Sequence, residues 1–246
     1  MNSRPSEAPD SSLGFYFQSA YSLVLLSGAS DDGVISVETV DDVKLVDGGA
    51  QVLGQLKHSM GSPPPLNEKN DGLWKTIGNW ISISNWNNYR FMFVTCAELA
   101  AGCDLDCLEQ TDAARNISKA LHCLRVEAKR VVETPTKAQA KTKKPATSHD
   151  YKTRRPACQA FLDLSDRQQE LMISNLTLVT SSFNAGDVVS ELKKALLQTE
   201  PQHNREIIAE RLIEWWDRRI AKSLLNKSPR EVQKTELLER LSAIRV

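Results

Sequence analysis

No stretch of the sequence approaches the run of about eighteen apolar residues that a membrane-spanning helix needs, so no membrane association is expected. The N-terminal MNSRPSEAPDSSLG has no apolar core of the signal-peptide kind; residues 1–12 read as a short disordered lead, and a cytoplasmic location is expected. An excess of one charge is also missing, since 31 Lys and Arg balance 31 Asp and Glu. That excludes binding of nucleic acid through bulk positive charge; any such contact must come from a local basic surface. Cysteine is sparse and odd in number: Cys96, Cys103, Cys107, Cys123 and Cys158 read as reduced thiols in a chain without an export signal. Cys103 and Cys107, with His122 and Cys123 further on, fit no strong zinc pattern, and their apolar neighbours suit buried thiols better.

What is present is ordinary for a globular protein, with 41% hydrophobic and 25% charged residues. GFYFQSAYSLVLLSG, 14–28, has Phe17, Tyr21, Val24 and Leu25 in helical rhythm, with Gly28 as a C-cap. VISVETV, 34–40, is β-branched and reads as a strand, followed by VKLV and QVLGQLK around the hairpin signal DGGA. Three successive prolines exclude helix from the loop at 60–72. After Asp71, taken as an N-cap, Trp74, Ile77, Trp80 and Ile81 share a helical face. YRFMFVTCA, 89–97, reads as a buried strand and 112–133 as an amphipathic helix carrying Ala114, Ile117, Leu121, Leu124 and Val131.

Residues 134–156 hold three prolines, no aliphatic larger than Ala, and an excess of Lys and Arg, which predicts a linker or loop. From 157 the pattern is mostly helical, interrupted by LTLVTSS at 176–182. The expected organisation is a mixed α/β core over 13–133, a basic linker over 134–156, and a helical part over 157–246 packing on the core. The fold class is α+β: a mixed sheet flanked by helices, followed by an α-helical region.

The hairpin suggests a site. With Gly48 and Gly49 as a two-residue turn, Asp42 falls opposite Gln55 and Val40 opposite Lys57. Side chains alternate faces, so Asp42, Gln55 and Lys57 share one face; Glu38 joins them if the strand runs straight from 38 to 42, and Asp41 points away. A slip of one residue would exchange Asp41 for Asp42. A hard cation such as Mg²⁺ takes oxygen ligands of this kind, and a lysine beside it can orient or deprotonate water and stabilise charge on a phosphate. Gln18, on the first helix, is an outer candidate. The plain alternative for each residue is a solvated acid or a polar strand end; what argues against it is their order along the chain.

GFYFQSAYSLVLL, VETVDDV, GQLKHS, DGLWKTIGNW and RLIEWWDRRI together resemble the double-strand DNA endonuclease domain of bacterial anti-phage effectors. That family covers the CBASS effector nucleases and the nuclease subunits of Lamassu-type systems, within the PD-(D/E)xK superfamily. The resemblance runs over roughly 13–225, in the Mrr-like variant where Gln replaces the second acid. It implies a restriction-endonuclease-like sheet and Mg²⁺-dependent cleavage of double-stranded DNA, with Mn²⁺ as a substitute ion. Asp42 would be the metal-binding acid, Gln55 the second ligand position and Lys57 the catalytic lysine, while Glu38 would be an accessory ligand and Gln18 accessory. Gln55 departs from the commonest pattern by one negative charge, which weakens a metal site unless substrate phosphate completes it.

No sensor region is read after residue 225. Either the sequence is part of a longer protein or sensing falls to a partner such as an SMC-like ATPase or a DNA translocase, and the active form is expected to be a homo-oligomer or such a complex. The rival reading is a catalytically degenerate nuclease fold that binds DNA or protein. For DNA contact, the candidates are His58, Lys143, Lys144, Arg154 and Arg155, although a solvated linker has the same composition as 137–155. Trp74, Trp80, Trp86, Trp215 and Trp216 could stack on bases, but their helical spacing favours the core. EWWDRR is expected to pack its helix inward and leave its arginines in water.

Overall fold

The computed structural model describes residues 8–58, 63–109, 115–136, 151–195 and 200–245. Six strands and eight helices are found among them, an α+β fold, with the strands hydrogen-bonded as a mixed sheet in the order β5-β4-β3-β2-β1-β6. They fall into two compact units, 1–63 with 94–96 and 181–246, and 64–93 with 97–180. That division does not follow the expected boundaries at 133 and 157, because the chain leaves the first unit after β3, re-enters it briefly at 94–96 and returns from 181 onward.

In the first unit, α1 (Ala8–Gly28) packs on β1 (Val34–Val37), β2 (Val43–Asp47) and β3 (Ala50–Lys57). The helix starts earlier than expected. Residues 1–7 lie outside the described residues, but the supposed lead from Ala8 onward is helical, and Pro9 falls in the first turn, where its missing N–H is no loss. Phe17, Leu23 and Leu26 are fully buried; Val24 and Leu25 are only half-buried. Gly48 and Gly49 have φ of 53° and 78°, the two left-handed residues of a tight hairpin turn, and they set the expected register: Val43 pairs with Gly54 and Asp47 with Ala50. The expected strand over 34–40 ends at Val37. There the chain reverses, and β1 pairs antiparallel with β2, Val37 opposite Val43.

The unit is completed by α6 (Val188–Ala195), α7 (Gln202–Leu224), β6 (Glu231–Gln233) and α8 (Lys234–Ile244). β6 pairs with β1 at the sheet edge, and three residues carry too little alternation to be read from sequence. On α7, Trp216 is fully buried and its Nε1 donates to Ser19 O at 2.8 Å. Arg219, expected in water, is buried instead: it donates to Glu236 Oε1 at 2.6 Å, Pro229 O at 3.0 Å and Glu231 O at 3.1 Å, tying α7 to β6 and α8.

The second unit holds α2 (Asp71–Ser82), α3 (Ile117–Glu133), α4 (Arg154–Leu162), α5 (Asp166–Ser174), β5 (Leu176–Val179) and part of β4 (Arg90–Thr95). Its core is aromatic: Trp80 stacks on Phe91 at 4.7 Å and Trp74 meets Phe161 edge-on at 5.7 Å. Gly78 lets α2 approach α4, since a Cβ there would lie 2.8 Å from the Ala157 Cβ. The cap of α2 is Asn70, not Asp71. Asn70 Oδ1 accepts from Leu73 N at 2.9 Å, and Asp71 pairs with Arg154. Asn70→Ala should therefore cost about 1 kcal/mol, measured as a lower urea midpoint, whereas Asn70→Asp should restore most of it.

One loop expectation changes here: α4 begins at Arg154, inside the expected linker. Cys103, Cys107 and Cys158 are buried free thiols, as their apolar neighbours suggested for the first two. Burial pushes the Cys123 and Cys158 thiols up to about 12 and raises those of Cys103 and Cys107, so thiolate ligands are disfavoured there at neutral pH.

Candidate active site

The hairpin places the first two members. Asp42 lies just before β2, and Gln55 lies on β3 one step past the last ladder pair, Val43 with Gly54. Asp42 Oδ2 accepts from Leu56 N at 2.8 Å and from Gln55 Nε2. Gln55 is 8% exposed, and this bond satisfies a buried amide while orienting the carboxylate. Asp41 Oδ1 accepts from Asp42 N at 3.0 Å and stiffens the loop.

Glu38 arrives by another route than a straight strand. The chain turns back over 38–42, and Glu38 N donates to Asp42 O at 2.9 Å. Glu38 itself is left-handed, with φ of 53°, an uncommon conformation for a residue with a side chain. The reversal brings the two acids together: partial burial raises the Glu38 pKa, the charge of Asp42 raises it further, and a hydrogen bond from the Gln18 side chain opposes both. Gln18 thus enters from α1, and its Oε1 is buried with no hydrogen-bond partner among the described residues.

Lys57, the last residue of β3, is half-buried and lies two residues beyond Gln55, so it shares that face of the strand. The ring of His58 lies 5.0 Å from that of Phe17, in an aromatic group where Tyr21 stacks on Phe183 at 5.3 Å; that contact explains its position as packing. Arg230, unmarked by any sequence signal, donates from Nη1 to Glu38 O at 3.2 Å and braces the loop from a point 192 residues away.

Two of the remaining DNA-contact candidates have other partners. Lys143 and Lys144 lie outside the described residues. Arg154 is buried between Glu127 and Asp71, at 2.6 and 2.9 Å, and Arg155 donates to Val132 O and Thr134 O, covering the C-terminal carbonyls of α3. Both guanidinium groups have structural work that explains their charge.

Gln18, Glu38, Asp42 and Gln55 form an oxygen-rich group, with two carboxylates and two carboxamides. Among the described residues no cluster of three or more His, Cys, Asp or Glu could hold a metal. Two acids are nevertheless what Mg²⁺ commonly takes when water and substrate phosphate supply the rest. The donors fit a hard cation, and the Gln18 Oε1 gives the specific reason: a buried acceptor without a donor is the atom a cation would satisfy.

No family profile matches the chain, and no curated protein does. Among solved structures, the chain is similar to the Cap4 SAVED/CARF-domain containing receptor of Acinetobacter baumannii with the cyclic trinucleotide 2'3'3'-cAAA, with a TM-score of 0.50 and 13% identity over 99% of this chain and 46% of that one. The Moraxella osloensis Cap4 SAVED/CARF-domain containing receptor gives a TM-score of 0.48 and 16% identity over 84% of this chain and 43% of that one. At these identities the likeness is one of fold, and the chain spans less than half the length of either receptor.

Proposed function

We propose that this chain is a metal-dependent endonuclease module that hydrolyses phosphodiesters of double-stranded DNA in bacterial anti-phage defence. The observation that carries the reading is the meeting of Glu38 and Asp42 with the orphaned Gln18 Oε1, beside the strand face that bears Gln55 and Lys57. The sequence resemblance to effector nucleases and the fold likeness to a Cap4 receptor support it. No helix among the described residues is long and apolar enough to cross a membrane.

Asp42, Glu38 and the oxygens of Gln18 and Gln55 would hold Mg²⁺ or Mn²⁺. When bound, such an ion polarises the phosphoryl oxygen and lowers the pKa of a water. Asp42 is pre-set for this role because Leu56 N and Gln55 Nε2 fix one carboxylate oxygen, leaving Oδ1 for the cation. Without the ion, partial burial and Asp42 raise the proton affinity of Glu38, so binding of the cation would displace that proton and favour the charged carboxylate. Lys57 supplies a positive charge where negative charge accumulates on the phosphate. The module would act as an oligomer or with an ATPase or translocase partner.

The test is supercoiled plasmid incubated with Mg²⁺, with EDTA, and with Lys57→Ala protein. Nicking that requires Mg²⁺ and falls on the order of 10²-fold in the variant is expected. Absence of cleavage at every protein concentration and with every partner tried, with DNA binding retained, would instead establish the non-catalytic binding module.

A further inference from the structure

A second charged feature lies on the first unit's late helices. A cavity of about 270 Å³ is lined from α7 by Arg211, Glu214, Trp215, Arg218 and Lys222, and Arg240 of α8 closes it. The α7 residues recur at the spacing of one helical face. Arg219 also lines this wall, but its guanidinium is consumed by Glu236 and by carbonyls of the segment leading into β6. Arg211, Arg218, Lys222 and Arg240 are different: they are exposed and make no hydrogen bond or ion pair among the described residues.

Gathering like charges this way opposes folding. Arg218 and Lys222 stand one turn apart on the same helix, a repelling arrangement, in a chain whose overall charge is zero. Glu214 offsets only part of it. The arrangement is favourable once an anion with several separated negative charges lies along the stripe, as successive phosphates do. Trp215, half-buried beside Trp216, adds a flat apolar wall between the cations.

We propose that the α7–α8 face is a phosphodiester-binding site that holds the backbone of duplex DNA. It rests on the nuclease reading only for the identity of the ligand. Base sequence plays no part in it, since phosphate contacts position a duplex without reading it. The site lets the protein retain DNA independently of the metal and of Lys57.

The experiment measures binding of a short fluorescent duplex in EDTA over a salt series. Arg218→Glu/Lys222→Glu should weaken binding on the order of tenfold and reduce the slope of log K against log salt by about 2. Lys75→Glu/Lys129→Glu, with the same change of charge elsewhere on exposed helix positions, should leave both nearly unchanged. Thermal melts of both variants check folding, and Arg218→Gln/Lys222→Gln repeats the test without introducing acids. An unaltered slope in the α7 variants would overturn the proposal. So would displacement of the duplex by inorganic triphosphate at stoichiometric concentration, which would make this a pocket for a small anion. Cleavage is not read in this assay: a protein that binds through α7 and never cuts refutes the nuclease reading alone, and one that cuts but binds elsewhere refutes this proposal alone.

Discussion

Asp42→Asn should eliminate Mg²⁺-dependent cleavage, by on the order of 10³-fold or more, while leaving the fold and the metal-free binding of DNA in place. The isosteric amide can still accept from Leu56 N, so the β3 anchor survives and only the charge is lost. Titration of activity with Mn²⁺ should show a weakened requirement curve that excess metal does not restore. Glu38→Gln makes the complementary case. Its carboxyl pKa is raised by partial burial and by Asp42, so the folded protein holds that proton more tightly than the unfolded chain does. Stability is therefore present below the ordinary carboxylate range and is lost as pH rises from that range through the raised value. Removing the charge should raise the melting temperature at neutral pH without metal and remove the further rise that Mg²⁺ produces in the native protein. If Glu38→Gln melted lower than native, or if Asp42→Asn retained full cleavage, the acids would not form a common cation site.

Much of this arrangement was legible in the sequence because it is local. DGGA allows a two-residue turn, and that turn alone fixes which residue of VDD meets Gln55. The approach of Glu38 was legible only as proximity. A straight strand was the simplest way to place it, whereas the structure uses a reversal with a left-handed residue, and no composition rule marks a glutamate for that conformation. Gln18 depended on how a helix packs on a sheet, and Arg230 on the contact of a late loop with an early one; pairings across nearly two hundred residues leave no periodic trace. The same limit explains the arginines. Composition shows that 137–155 is basic, but not that Arg154 is enclosed by an acid on one helix and an acid on another.

That enclosure gives the largest expected effect on stability. Glu127 is 3% exposed and Arg154 9%; Glu127 Oε1 lies 2.6 Å from Arg154 Nη1, and Arg130 Nε lies 2.7 Å from Glu127 Oε2. Tyr151 adds its ring beneath both arginines, 5.0 Å from each guanidinium carbon. Glu127→Ala should destabilise the protein by about 3–5 kcal/mol, because Arg154 is left buried with only the exposed Asp71 to meet its charge. Arg130, at 41% side-chain exposure, can turn into water, so Arg130→Ala should cost far less. Arg154→Ala should resemble Glu127→Ala in size, with Arg130 still neutralising the acid and moderating the loss. The double variant Glu127→Leu/Arg154→Met should recover much of it, since two apolar groups of similar volume need no partner. Urea unfolding of the set, followed by the duplex-binding series on the folded variants, separates the two roles of a basic residue. If Arg154 is a structural ion, its variants lose stability and keep the native salt slope; if it touches phosphate, the slope falls by about 1 with little loss of stability.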